Sequence, residues 1–110
     1  MMSIVKKLKK IRDTLTSIEN VDVFHYDAGD KTEEYIVWAE NGEGTSLELD
    51  NGKVEQIISG TIDFFTKTEY SEVIDSIQIE LTLAKISFSL NSVQYEPETK
   101  LIHYEWIFEI

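Results

Sequence analysis

Ile86-Ser87-Phe88-Ser89-Leu90-Asn91-Ser92-Val93-Gln94-Tyr95-Glu96-Pro97-Glu98-Thr99-Lys100-Leu101-Ile102-His103-Tyr104-Glu105-Trp106-Ile107-Phe108-Glu109-Ile110 reads as two strands and the turn that joins them. Ile86, Phe88 and Leu90 alternate with polar residues, and Val93 and Tyr95 continue in the other parity. One extra residue near Asn91, a β-bulge, produces such a switch. Glu96-Pro97-Glu98-Thr99 is turn chemistry, with proline at the second position. Ile102, Tyr104, Trp106, Phe108 and Ile110 then form one apolar stripe at strand spacing. A hairpin with one apolar face must bury that face, so the rest of the chain has to supply further strands and a covering layer.

Moving upstream, Ser71 is placed to cap a helix from Glu72 to about Leu83, with Val73, Ile74, Ile77 and Leu81 on its inner face. Ile79, Leu81 and Leu83 also alternate, which fits a helix that ends earlier. Val54 to Thr66 alternates throughout and predicts one long half-buried strand. Gly60 in its middle marks a bulge or the close approach of another backbone. The polar stretch Asn41 to Lys53 contains Asn41-Gly42 and Asn51-Gly52, the preferred type I′ hairpin dipeptide. It is either one long acidic loop or a loop enclosing a small strand at Thr45 to Leu49, and loops of that length are usually functional. Tyr35 to Glu40 and Val21 to Tyr26 are strand candidates separated by the turn-rich Asp27-Ala28-Gly29-Asp30-Lys31-Thr32. From Ser3 to Ile18, the residues Ile4, Leu8, Ile11, Leu15 and Ile18 recur at helical spacing among lysines, with Ser3 as N-cap and Asn20 where the helix stops. The order α-βββ-α-ββ predicts an α+β domain: a mainly antiparallel four- to five-stranded sheet with two helices packed on one face.

The chain has 110 residues, which suits a single domain spanning residues 1–110 with a substantial core. Its 42% hydrophobic content is too high for disorder. No apolar run approaches the roughly 18 residues of a membrane span. The basic N-terminus precedes no apolar segment of the signal-peptide kind. There are no cysteines, so disulfides, thiolate metal sites and cysteine nucleophiles are excluded. These features predict a soluble intracellular domain.

Charge is unevenly distributed. Lys6, Lys7, Lys9, Lys10 and Arg12 precede the first acid, Asp13. From Asp13 onward five basic residues face 21 acidic ones, a difference of −16 in a chain whose net charge is −11. Such a field repels phosphate backbones and disfavours ordinary nucleic-acid binding. One reading is a solvated acidic domain with a basic helix face; a sharper one is a charge dipole by which identical copies pack head to tail in a ring. The helix lacks the Trp and Phe residues that membrane-surface helices favour.

Catalytic motifs of the nucleophile-elbow, phosphate-loop, dinucleotide or zinc-protease kinds are absent, and no enzymatic activity, metal or cofactor is expected. His25 and His103 each sit beside a tyrosine in a β-type segment and are expected to be hydrogen-bonded near the edge of the core. Asp27, Asp30, Glu33 and Glu34 have generic spacing and read as a solvated turn rather than a calcium loop. Tyr35, Trp38, Tyr104, Trp106 and Phe108 read as core and sheet packing, because no basic residues interleave with them as in a base-stacking platform.

Four strings carry a resemblance. They are Tyr35-Ile36-Val37-Trp38 with Glu40 following, Gly60-Thr61-Ile62-Asp63-Phe64-Phe65-Thr66-Lys67, Leu90-Asn91-Ser92-Val93-Gln94-Tyr95-Glu96 and Ile102-His103-Tyr104-Glu105-Trp106. In that order, over residues 21–110, the chain resembles the tail terminator (tail-completion) and minor head–tail joining proteins of long-tailed phages and Gram-positive prophages. The resemblance implies an α+β domain acting as a hexameric ring at the end of the tail tube. Such a ring stops polymerisation of the tail tube protein and presents a surface to the head connector, with DNA passing through its centre. It would work at the head–tail joint of the virion, after assembly in the host cytoplasm.

On this reading an acidic lumen lets DNA slide instead of sticking. Glu43, Glu48 and Asp50 mark a candidate lumen or docking loop. Lys6, Lys7, Lys9 and Lys10 mark a candidate inter-subunit helix face that would meet an acidic surface of the next copy. Two other readings stand beside this one: an acidic DNA mimic that occupies a basic enzyme's groove, and a head-side connector component.

Overall fold

Ser3 caps the first helix as its position predicts: its side chain accepts a hydrogen bond from the Lys6 amide at 3.1 Å, and α1 runs Ile4–Thr16 in the computed structural model. The structure describes residues 3–31, 33–44, 47–49 and 52–110. Ser17 closes α1, and Asn20 turns the chain in the left-handed region with φ 66°. A short strand, β1 (Asp22–His25), leads through residues 26–34 into β2 (Tyr35–Glu43). A small hairpin of β3 (Leu47–Leu49) and β4 (Gly52–Glu55) precedes β5 (Ile58–Thr66). Then come α2 (Glu72–Leu83), β6 (Ser87–Glu96) and β7 (Leu101–Glu109). Ser71 caps α2 by accepting from the Val73 amide at 3.3 Å, and Glu72 and Asp75 in the first turn complement the helix dipole.

Five strands form the main sheet in the order β1-β2-β5-β7-β6, while β3 and β4 pair only with each other. Its helix-covered face carries Ile36 and Trp38 of β2, Ile62 and Phe64 of β5, and Trp106 and Phe108 of β7. Against them pack Ile11, Leu15 and Ile18 near α1 and Val73, Ile77 and Leu81 of α2. Each fully buried side chain of this kind contributes roughly 1.5–3 kcal/mol of transfer free energy. The indole N–H of Trp106 is satisfied inside the core, donating to Gln78 Oε1 at 3.0 Å. The hairpin β6–β7 and the bulge between Leu90 and Ser92 match the sequence reading. The turn, however, closes one residue later, with Lys100 in the left-handed region and its amide bonded to the Glu96 carbonyl at 2.7 Å.

Three expectations are corrected. The sheet is mixed: β1 pairs parallel to β2, Val23 beside Ile36 and His25 beside Trp38. Alternation of apolar and polar residues carries no strand direction, so the pattern was silent on this. The direction is set by the link after His25, where Tyr26 (φ 74°) turns the chain away at once. Next, the strand expected at Val54–Thr66 is broken between Glu55 and Ile58, its first part belonging to the separate hairpin. Finally, Asn41-Gly42 is not a hairpin turn. It lies within β2, where the register against β5 shifts between Glu40 and Gly42.

Gly60 lies opposite this bulge, and its close-approach reading holds. A Cβ there would stand 2.2 Å from the Ala39 carbonyl oxygen and 2.6 Å from the Phe108 ring. Among the described residues, no helix is long and apolar enough to cross a membrane.

Candidate functional site

The four lysines do not share one face. Lys6 and Lys9 are exposed and Lys10 is half-buried, lining a shallow groove of about 490 Å³ with Asp13 and Thr14. Lys7 is a correction to the expected face: only 4% of it is exposed, and its Nζ donates to the Gln56 carbonyl and, at 3.3 Å, to Ile110 O. A buried ammonium is tolerated only when its protons find oxygens, and here it pins α1 to the start of β5 and the end of β7. Lys7 lies one turn from Ile11 on the buried side of α1.

Of the acidic set, Glu43 ends β2 and is exposed, while Glu48 lies on β3 paired in register with Lys53. Asp50 lies outside the described residues. Of the two readings of residues 41–53, the small strand within the stretch holds, as β3, while the long loop does not: the stretch is an extension of β2 followed by the β3–β4 hairpin.

Two surfaces that the pattern did not single out are prominent. One is an apolar strip where α2 meets β6. Ile79 and Leu83, one turn apart on the outer side of α2, are exposed, Leu83 by 71%. Phe88 of β6 lines one groove with them, and further along β6 Leu90, Val93 and Tyr95 are exposed by 49%, 50% and 59%. These three face the helix layer, but α2 covers that part of the sheet incompletely, and β6 is an edge strand with one side unpaired. Isolated exposed apolar residues are ordinary; several of them on and beside an open sheet edge mark a contact surface. The signal was present in the sequence. Ile79 and Leu83 make α2 apolar on its outer side too, which is the mark of a helix covered from both sides.

The other surface is the sheet face opposite the helices. Register places Asp22, Tyr35, Phe65, His103 and Gln94 in one row across the five strands. Tyr35 stacks on Phe65 at 4.8 Å between ring centroids, and Phe65 on His103 at 4.2 Å. The adjacent row holds Phe24, Val37, Asp63, Glu105 and Ser92. His103 Nε2 lies 2.7 Å from Asp63 Oδ1, and Glu105 accepts a hydrogen bond from Asn91 Nδ2 at 2.7 Å. Burial pushes the Asp63 carboxyl above the usual carboxylate range; the hydrogen bond and charge of His103 pull it back, while the neighbouring Glu105 adds to the rise.

His25 and His103 stand on opposite faces of the sheet, so they form no pair. His25 is held between the rings of Tyr26 and Trp38, at 3.7 and 3.8 Å, with Nε2 2.7 Å from Glu40 Oε1. Both histidines are hydrogen-bonded at the margin of the core, as expected. In the acidic turn, Asp27 Oδ1 accepts from the Gly29 amide at 2.8 Å, an Asx-turn, and Glu34 accepts from Thr66 Oγ1 at 2.7 Å. Those carboxylates are engaged locally instead of converging on a cation. No protein-family model matches the chain, and no curated protein sequence matches it.

Proposed function

We propose that this chain is a structural protein of a phage or prophage head–tail joint: a tail terminator that assembles as a ring, caps the tail tube and docks to the head connector. The observation that carries the assembly reading is the apolar strip of Ile79, Leu83, Leu90, Val93 and Tyr95 along the open edge of β6. A second copy seated there gains apolar burial and backbone pairing together. On this proposal the surface that covers the strip belongs to another part of the next copy, a head-to-tail contact, and such contacts form a ring when the rotation between copies closes. The exposed Lys6 and Lys9 and the half-buried Lys10 on the helix side, and the carboxylates of Asp63 and Glu105 on the open sheet face, add charges of opposite sign on opposite sides of the molecule. Such charges set orientation and encounter rate more than affinity.

The test is to add the purified chain to tail tube protein during polymerisation and to weigh it by light scattering after gel filtration. Expected are arrested tube growth and a discrete ring of about six copies, formed free or on the tube end. Undisturbed tube growth from a chain that stays monomeric overturns the proposal. Tight, steeply salt-dependent binding to a basic nuclease would favour the DNA-mimic reading instead. Ring formation with capture of the head connector, but no effect on tubes, would place the ring on the head side.

A further inference from the structure

We infer that Asp63, His103 and Glu105 form a binding site for a divalent transition-metal ion of the zinc class, at the centre of the open sheet face. The ligand atoms of these three residues all lie within 4.8 Å of one another. They come from the two central strands, β5 and β7, so the site rests on the most rigid part of the fold. Asp63 and Glu105 are direct cross-strand partners, and His103 lies two residues before Glu105 on the same face.

Two carboxylates placed directly opposite each other repel when both are charged, and the sheet register keeps their backbones side by side. Both are half-buried. Among the described residues, neither is paired with a lysine or arginine: Asp63 meets His103 and Glu105, and Glu105 also meets the neutral amide of Asn91. A dication between them removes the repulsion and takes one imidazole nitrogen and two carboxylate oxygens as ligands. That mixed set suits zinc and its neighbours, while purely oxygen-seeking magnesium gains nothing from the imidazole.

The geometry is close to what a metal needs. Metal–ligand bonds of about 2.1 Å put tetrahedral ligands about 3.4 Å apart. The Asp63–His103 contact of 2.7 Å has to open slightly, and with all ligand atoms within 4.8 Å of one another side-chain rotation alone can bring the set to that spacing. The 4.2 Å stacking of the His103 ring on Phe65 holds the imidazole plane with Nε2 toward Asp63, the kind of support that metal-ligating histidines use. Three protein ligands leave a fourth position. Asp63 and His103 line a cavity of about 410 Å³ bounded by Tyr35, Phe65 and the 26–29 turn, so a water or a carboxylate from a docked partner has room to complete the shell.

The inference does not depend on the assembly reading. It is tested by titrating Zn²⁺ and Mg²⁺ calorimetrically into the full chain after chelator treatment. A parallel Co²⁺ titration is followed through its visible ligand-field bands. Expected are one saturable Zn²⁺ site per chain, binding at least about a hundredfold tighter than Mg²⁺, and weakened at least about tenfold by His103→Ala. His25→Ala, on the opposite face, should leave Zn²⁺ affinity unchanged. The Co²⁺ bands should vanish in His103→Ala. If that variant does not fold, the near-isosteric Asp63→Asn provides the same comparison. Zn²⁺ binding that is insensitive to both substitutions, or no saturable binding up to millimolar metal, overturns the site.

Discussion

Gly60 and Phe108 face each other across β5 and β7, and the phenylalanine ring occupies the space that any side chain at position 60 would need. The glycine backbone is shielded by an aromatic ring from the neighbouring strand, while the bulged strand β2 presses the Ala39 carbonyl from the other side. The residue that the pattern marked as a bulge or a close approach of another backbone is the point where three strands converge.

Gly60→Ala should therefore destabilise the chain by about 3 kcal/mol or more, because the new methyl meets the Ala39 backbone carbonyl and the buried Phe108 ring, neither of which moves aside cheaply. Chemical denaturation of the variant and the parent, compared at equal slope, checks this.

Lys7→Met should also be costly, although lysine on an amphipathic helix is usually a surface residue. It keeps the apolar stem but removes the charged donor from the Gln56 carbonyl and Ile110 O, a loss of about 1.5–3 kcal/mol. The melting midpoint should fall by roughly 5–15 °C. Lys6→Met, at an exposed position, should leave it within a degree or two.

Charge reversal of Lys6, Lys9 and Lys10 together, with Lys7 left intact, should weaken self-association about tenfold or more at low salt, with little effect at high salt. Sedimentation at two ionic strengths reads this. Including Lys7 would confuse assembly with folding, since Lys7 is buried.

The double variant Ile79→Lys, Leu83→Lys should abolish self-association and the arrest of tube growth. Folding stability should stay within about 0.5 kcal/mol, because both side chains are already in solvent. Assembly that survives this change would remove the strip from the interface.

Stability should fall in acid partly through Glu40. Partial burial pushes its carboxyl upward, but hydrogen bonds from Tyr26 and His25 outweigh this and hold it below its ordinary value of 4.5. A carboxyl depressed in the folded state stabilises the fold above the unfolded value, and that contribution is lost as pH falls through the lower folded value. Glu40→Gln should flatten the acid limb of a stability–pH profile below about pH 4.5. It should change the limb above that value little in shape.

Much of the architecture was written in local chemistry. Ser3 and Ser71 announced both helix starts, the parity switch at Asn91 located a bulge, and the stripe from Ile102 to Phe108 identified a strand with one buried face. These features depend on periodicity, capping and turn preference, which act between residues close in the chain. What lay beyond reach depends on which segments meet. The parallel pairing of β1 with β2, the burial of Lys7 and the break between Glu55 and Ile58 follow from the direction and packing of distant segments, to which a period-2 or period-3.6 pattern is indifferent. The convergence of Asp63, His103 and Glu105 has the same origin. His103 and Glu105 share a face by alternation alone, but only the register of β5 against β7 brings Asp63, 40 positions from His103, to within 2.7 Å of its ring. The sequence by itself determined the elements, their caps and the apolar faces they must bury, because those are local free energies; the tertiary structure alone decided which polar groups became neighbours and which apolar groups stayed uncovered, because both depend on how whole faces fit.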